Sequence, residues 1–530
     1  MPGSVFSCWL IGADSLLEEC GDVLLRRGHD VHGVIAGSER VAAWARSRHL
    51  TVLDPRADVA AALARSPPFD HLFAITHLSV VPEAILRLPV RGAVNFHDGP
   101  LPRYAGLNTP AWAIIQGETR YGITWHAMTK GVDEGRILKS VPFEIDPGET
   151  ALSLNTKCFV HALESFGELV DALASRSLRP QEQDLGQREY YERHRRPPRA
   201  ALLDWSRPAA EIDALVRGLE FGRYPNPLGS PKLCHAGRAV LVARSRVRSG
   251  DPAGEPAAAP GTLLAVDDQG LLVATGRGSI ALTAFTELSG QALQPGALAK
   301  RLGLSAGDRL EPPAPELAQR LTELDARMAR SERDWVQRLA ALDPVTLPLR
   351  VDAAPGSRAT EIAVPLPPAL TASHPGSSLA AVLTAAFGAY LARLSRRHRF
   401  DLAFEDEALQ RDCEGLTALV SGRVPLRIAI DLDQSLGPLV ERLKSELPEL
   451  SRRGPWLRDA IARHPELQSL REDRDGHLLP VGVACAGRLR TPTLPDGAEC
   501  VLELDTSAGA CRLVYAGDRI APADAASCAA

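Results

Sequence analysis

At 530 residues the chain is past the length over which one hydrophobic core keeps growing, so about two to four domains are expected. A hydrophobic share of 45% with 24% charged residues is that of a soluble globular protein, and a formal charge of −5 excludes the basic footprint of a dedicated nucleic-acid binder. The nine cysteines stand singly without a CxxC pair, so neither a zinc site nor a disulfide framework is expected, and no metal. The opening MPGSVFSCWLIGADSLLEEC lacks a basic n-region, and no later stretch reaches about 18 uninterrupted apolar residues, so a cytoplasmic protein without membrane contact is expected.

The first predicted strand runs from Val5 to Gly12, and a helical pattern through Leu16, Leu17, Cys20, Val23, Leu24 and Leu25 leads to a second apolar run, VHGVIAG, at 31–37. The alternation recurs through the helix ERVAAWARSRHL, the strand TVLD, the helix ADVAAALARS, the strand HLFAIT, a helix from Val81 and the strand GAVNFH at 92–97. Strands alternating with helices imply a parallel sheet covered on both faces, with ligands outside the carboxyl ends of the strands. The stretch QEQDLGQREYYERHRRPPRA, at 181–200, is charged and ends in prolines, so a connector and a boundary near 185–200 are expected.

From Leu202 to about 308 one helix, AAEIDALVRGLEF, precedes the β-rich runs AVLVARSRV, GTLLAVDD, GLLVATG and SIALTAFTEL, the pattern of a small barrel-like domain. Its loop SGDPAGEPAAAPG is small and proline-rich, hence expected to be mobile. After the connector EPPAPE a long helix carries a stripe from Leu317 through Leu321, Leu324, Met328, Trp335 and Leu339 to Leu342, expected to pack on a domain. A further α/β region follows: strand EIAVPL, helix LAAVLTAAFGAYLARLSRR, strands FDLAFE and VPLRIAIDL, helix LGPLVERLKSEL and two late strands.

The chemistry concentrates in NFHDGPLPRY, from Asn95 to Tyr104, and in the strand and turn GITWHAMTKGVDEG downstream. Asn95 and His97 are two apart, so on a strand they share a face while Phe96 points the other way. The prolines and glycine of DGPLPRY build a rigid wall beside them, and Asp133 in the turn KGVDEG is placed to return to the pair. Acyl transfer to an amine needs a donor for the oxyanion, a base for the nitrogen's proton and a group to orient that base, for which Asn95, His97 and Asp133 suffice. Each alone also fits a plain structural role, Asn95 as a turn former and Asp133 as a loop cap. His77, in AITHLSVVP, fits a turn residue as well as a pocket wall, and Trp125 and His126 alternate in a strand where core packing is preferred. The IGAD turn is no dinucleotide-binding fingerprint.

These ordered motifs resemble the 10-formyltetrahydrofolate-dependent formyltransferases. NFH followed by GPLPRYAG is similar to the family's Asn-x-His and its leucine–proline loop, and GITWHAMTKGVDEGRIL is similar to the segment ending in its catalytic Asp-x-Gly. LLDWSRPAAEIDALVRGL and PGTLLAVDDQGLLVATGRG resemble the family's C-terminal part, so the resemblance covers about the first 305 residues. It implies Asn95, His97 and Asp133 as catalytic residues and His77, Leu78, Pro100, Leu101, Val132 and Gly135 as the lining of a folate site, with 10-formyltetrahydrofolate as co-substrate. The fold implied is α/β, a Rossmann-like parallel sheet followed by a small OB-like β-barrel.

Two departures from the family bear on the acceptor. Asp98 and Gly99 stand where many members have a small residue and serine, which resembles formyltransferases of nonribosomal peptide or siderophore pathways. AGSERVAAWARSRHL lacks the basic, glycine-rich insertion of tRNA-acting relatives, which argues against nucleic acid as a partner. In the last third, SERDWVQRLAALDPVTLPL, LAAVLTAAFGAYLARLSRRHRFDLAFED and VPLRIAIDLDQSLGPLVERLKSEL resemble the C-terminal half of a nonribosomal peptide synthetase condensation domain, which implies an α/β half of the chloramphenicol acetyltransferase type. The active HHxxxDG motif of such domains is missing, so a structural or docking role is expected there.

The domains expected are 1–190, catalytic and folate-binding; 200–308, barrel-like; and 314–528, condensation-like. The function expected is formylation of an amino acid's amine, carried on a carrier protein beside an adenylation domain, to initiate nonribosomal peptide synthesis. The alternatives are a free-standing enzyme acting on an amino sugar nucleotide or hydroxyornithine, and a docking scaffold for a neighbouring synthetase module.

Overall fold

The computed structural model describes residues 4–248, 258–348, 359–374, 376–472, 478–489, 491–495 and 497–529. Most of the proline-rich loop at 249–261, residues 249–257, lies outside the described residues. Two compact units emerge, Met1–Arg195 with Ala210–Gly222, and Arg196–Ala209 with Arg223–Ala530.

In the first unit β1 (Ser7–Gly12), α1 (Ser15–Arg26), β2 (Asp30–Ala36), α2 (Glu39–Ser47), β3 (Thr51–Leu53), α3 (Val59–Arg65), β4 (His71–Ala74), α4 (Glu83–Leu86) and β5 (Ala93–His97) alternate as the sequence pattern predicts. There follow β6 (Tyr104–Gly106), α5 (Thr109–Ile115), β7 (Arg120–Ala127), β8 (Ile137–Glu144), α6 (Ala151–Ala174), β9 (Glu189–Tyr191) and α7 (Ala209–Gly218). Seven strands form one sheet in the order β3-β2-β1-β4-β5-β7-β8. It is parallel as far as β5, in a Rossmann-like arrangement, and ends in the antiparallel strands β7 and β8. The parallel strands are continuous apolar runs because helices cover both faces, and Leu10, Val34, Leu72 and Phe73 are fully buried. The strand order reverses between β1 and β4, where such sheets open a crevice at their carboxyl ends. Strand β5 lies next to that point.

The second unit continues with β10 (Lys232–His235), β11 (Arg238–Val247), β12 (Leu263–Asp267), β13 (Gly270–Ala274), β14 (Ser279–Thr286), β15 (Ala292–Leu293), α8 (Pro295–Leu302) and α9 (Pro315–Ala340). Its β10–β15 sheet is antiparallel, in the open order β10-β11-β14-β13-β12 with β15 beside β14; no pairing closes it into a ring among the described residues. Beyond it lie β16 (Ala359–Val364), α10 (Pro368–Ser373), α11 (Ser377–Ser395), β17 (Arg399–Asp406), α12 (Glu407–Cys413), β18 (Val420–Ser421), β19 (Val424–Ala429), α13 (Gly437–Arg453), β20 (Trp456–Leu457), α14 (Ala460–Arg463), β21 (Val481–Ala486), β22 (Cys500–Asp505), β23 (Ala510–Ala516) and α15 (Pro522–Ala529). A mixed sheet in the order β16-β23-β22-β21-β17-β19 carries this part, with three late strands where the sequence pattern suggests two. Its core gathers Trp335, Phe387, Phe400, Phe404 and Leu443. The stretch Ser378–Ser395 of α11 is long and apolar enough to cross a membrane by length and composition, yet 61% of it is buried within this unit.

A buried set of ion pairs joins the parts of the second unit. Lys232 on β10, with no exposed surface, pairs with the equally buried Asp459 at 2.6 Å and donates to the carbonyls of Ala200 and Ser230 at 2.9 Å. Arg463 binds Glu332 of α9 with both terminal nitrogens, at 2.9 and 2.6 Å, and Arg196 reaches the same carboxylate at 3.0 Å. Asp459 also faces Arg463 Nε at 3.2 Å, and removing one member of such a buried network leaves the others short of a partner. Lys232→Met is therefore expected to destabilise the chain by about 3–5 kcal/mol in denaturant unfolding, because the buried Asp459 loses one of its two cations; a harmless single change would contradict this role.

Candidate active site

Strand β5 pairs with β7 so that Asn95 stands opposite His126, Phe96 opposite Trp125 and His97 opposite Thr124. Directly opposed residues of an antiparallel pair share a face, so Asn95, His97, Thr124 and His126 line one side. Phe96 and Trp125 take the other, with ring centroids 5.2 Å apart, and Trp125 is tied to Ser165 of α6 at 3.0 Å. The expected facing of Asn95 and His97 away from Phe96 is thus observed. Thr124 fixes the loop after β5: its hydroxyl donates to the carbonyl of Gly99 at 2.8 Å and accepts the N–H of Leu101 at 3.1 Å.

The turn after β7 brings Asp133 back to this face. Asp133 adopts a left-handed backbone, φ +56°, and a Cβ on Gly135 would stand 1.7 Å from the carbonyl oxygen of Ala127, so the close return of the turn requires glycine there. Gln183 donates to the carbonyls of Asp133 and Gly135 at 2.8 and 2.6 Å, and Arg188 donates to that of Val132 at 2.9 Å. The 181–200 stretch expected as a connector is therefore bound into the first unit through residue 191: β9 pairs with β6, and Tyr191, fully buried, stacks on Tyr104 at 5.4 Å. Donation from the Gln183 amide and the Arg188 guanidinium to main-chain carbonyls is why it does not behave as a solvated linker.

Asp133 is the meeting point. Its Oδ2 accepts the N–H of Gly106 at 2.8 Å and lies 3.8 Å from His97 Nδ1, while its Oδ1 lies 3.4 Å from His126 Nε2. Asn95 Nδ2 is 3.1 Å from His126 Nε2. Asn95 and Asp133 are thus linked through His126, which is buried as expected of it and also reaches both side chains; the signal that would have found this contact is the β5–β7 register, which no single strand displays.

Ring tautomers follow from the acceptors. His97 Nε2 faces the carbonyl of Tyr104 at 2.5 Å, and a carbonyl only accepts, so this nitrogen carries the hydrogen and Nδ1 is the basic one in the neutral ring. His126 Nδ1 likewise faces the carbonyl of Ala127 at 2.9 Å, which leaves Nε2 to accept from Asn95. Burial alone would raise the Asp133 carboxyl, but in acid, where His97 and His126 take up protons, the charge of His97, the hydrogen bond and charge of His126 and the N–H of Gly106 hold it below the usual carboxylate range. Asp98 goes the other way, raised chiefly by desolvation.

Of the residues expected to line a folate site, His77 and Leu78 lie in the loop leaving β4. His77 is half-buried, and burial lowers its imidazole; Leu78 is exposed, with its carbonyl held by Arg193 at 2.6 Å. Pro100 is half-buried and Leu101 buried in the loop leaving β5; Val132 and Gly135 flank Asp133.

Residues 57–169 match the family model of formyl transferases and residues 197–302 that of the formyl transferase C-terminal domain. Over 296 residues the chain is 31% identical to the methionyl-tRNA formyltransferase of Anaeromyxobacter dehalogenans, an alignment covering 52% of this chain and 89% of that enzyme. The chain belongs to the formyltransferase family. The methionyl-tRNA formyltransferase of Trichlorobacter lovleyi is 32% identical over 211 residues, which span 40% of this chain and 62%, less than two thirds, of that enzyme. Among solved structures, an N-formyltransferase from Helicobacter canadensis in complex with folinic acid and dTDP-3-aminofucose is similar at a TM-score of 0.43 and 16% identity, over 53% of this chain and 99% of that one. Asn95, His97, His126 and Asp133 all fall within the first formyl transferase match.

Because the folded Asp133 titrates below the value of about 3.9 of an unfolded aspartate, its contacts add stability that is present above about pH 4 and lost as the pH falls through the folded value. Asp133→Asn is expected to lower the unfolding midpoint at pH 7, with the gap to wild type closing below about pH 4; a gap independent of pH would mean that the carboxylate's charge is not what the site holds.

Proposed function

We propose that the chain transfers a formyl group from 10-formyltetrahydrofolate to the amine of an amino acid tethered to a carrier protein, initiating nonribosomal peptide synthesis. The observation that carries this reading is the linked set of Asn95, His97 and Asp133, with His126 between the first and last. The amine nitrogen attacks the formyl carbon, a C–N bond forms, and the bond from that carbon to the folate nitrogen breaks. Asn95, one N–H of its carboxamide held by His126, offers the other to the oxyanion. His97 Nδ1 takes the proton of the amine, and the Asp133 carboxylate stabilises the imidazolium so formed. His77, Leu78, Pro100, Leu101, Val132 and Gly135 are proposed as the folate-side wall.

An amino acid as acceptor is supported by the HDGPLP loop and by the missing basic insertion after β2, both departures from tRNA-acting relatives. The domain division 1–190, 200–308 and 314–528 is retained in this proposal, with the β10–β15 sheet as the family's small barrel and the last part as a half-condensation domain. Lacking HHxxxDG, that last part has a structural or docking task beside an adenylation domain. A cytoplasmic location fits the folate donor.

Incubation with 10-formyltetrahydrofolate and a panel of amines, read by mass spectrometry, is expected to add one formyl group to carrier-bound amino acids. Formylation of free amino sugar nucleotides or hydroxyornithine instead would move the acceptor to those compounds, and no formylated product from any amine would overturn the reading. Asn95→Ala is expected to slow turnover about 10²- to 10³-fold and His97→Ala about 10²- to 10⁴-fold; wild-type turnover by either variant would remove that residue from the mechanism.

A further inference from the structure

Two carboxyls flank the same imidazole nitrogen. Asp98 Oδ1 and Asp133 Oδ2 each stand 3.8 Å from His97 Nδ1. Their surroundings differ. Asp133 already receives the N–H of Gly106 and faces His126, and it lies at one side of a turn held by Gln183 and Arg188. Asp98 is met by the Thr109 hydroxyl at 3.1 Å and by its own backbone N–H, and no lysine or arginine pairs with it among the described residues. Desolvation raises the Asp98 carboxyl, the charge of Asp133 pushes it the same way, and His97 and Thr109 oppose them. Tyr121 on β7 and Cys158 on α6 are the other titratable groups that feel it, and burial keeps both in their neutral forms. Two acids driven in opposite directions around one base are the pattern that separates a proton donor from a fixed charge. Asp98 is also the most open of the group, its side chain 29% exposed against 5% for His97 and 11% for Asp133.

Formyl transfer has a proton to move. The amine loses one as its bond to carbon forms, and the folate nitrogen needs one as its bond to carbon breaks. His97 Nδ1 takes the first, and the ionised, already engaged Asp133 is poorly placed to supply the second. We propose that Asp98 is a further proton-carrying residue of this site, passing to the leaving folate nitrogen the proton that the amine gives to His97. Asp98 gives its own proton to the leaving nitrogen and is recharged from the His97 imidazolium, so ring and acid both end as they began and no other reactant is consumed. This inference rests on the formyl-transfer reading above.

The test compares wild type, Asp98→Asn and Asp98→Glu in steady-state kinetics and in NMR titration of the His97 ring. Asp98→Asn is expected to lower kcat about 10²-fold with the KM of amine and folate unchanged, Asp98→Glu to recover part of that loss, and the His97 midpoint to stay in place in Asp98→Asn, because the amide replaces a carboxyl that holds its proton; a midpoint that falls by about one pH unit would show an ionised Asp98 and overturn the relay. A raised amine KM with kcat retained would make Asp98 an amine-binding group and overturn the relay. If wild type turns over and Asp98→Asn matches its kcat, the relay falls and formyl transfer stands. If wild type formylates no amine while the His97 midpoint is the same in wild type and Asp98→Asn, the formyl-transfer reading falls and the assignment of a protonated Asp98 beside His97 stands.

Discussion

The site rests on one carboxylate held where the chain would not otherwise put it. Asp133 sits in a left-handed backbone conformation, on a turn that passes so close to β7 that only glycine fits at position 135. What the turn gains in return is a set of hydrogen bonds from outside itself: Gly106 to the carboxylate, and Gln183 and Arg188 to the main chain on either side. A charge withdrawn from water in this way persists only where its partners are fixed beforehand, and here they are fixed by β6, β9 and the β5–β7 register.

From that carboxylate the chemistry follows outward. It faces the basic nitrogen of His97 on one side and His126 on the other, and His126 in turn orients the Asn95 carboxamide. The carbonyls of Tyr104 and Ala127 choose which nitrogen of each ring carries hydrogen. In the proposed mechanism a single turn thereby sets the position of the base and, through a second ring, the orientation of the oxyanion donor. Preorganisation of this kind spares the reaction the reorientation of dipoles that water would demand.

Much of this was legible in the sequence. Asn95 and His97 were visible as a period-two pair at the end of an apolar strand, and Asp133 as the acid of a glycine-bounded turn, because spacing along one strand and turn chemistry are local properties. The β/α alternation through β5 was visible for the same reason. His126 was not, since its place beside Asn95 depends on a cross-strand register that a strand alone does not encode. Nor was the binding of residues 181–191 into the first unit: their polar character suggests solvent, while the Gln183 amide and the Arg188 guanidinium donate to main-chain carbonyls of the Asp133 turn. Lys232 is the same case in the second unit, a lysine with no exposed surface whose partner Asp459 lies far along the chain.

The most direct measurement is the nitrogen NMR spectrum of the His97 ring in the neutral protein. Hydrogen on Nε2, with a bare Nδ1, is the expected result, because Tyr104 takes one nitrogen and leaves the other turned toward Asp133. A neutral ring with its hydrogen on Nδ1 would mean that the carboxylates accept from that nitrogen at rest, and that it is not the base of this site.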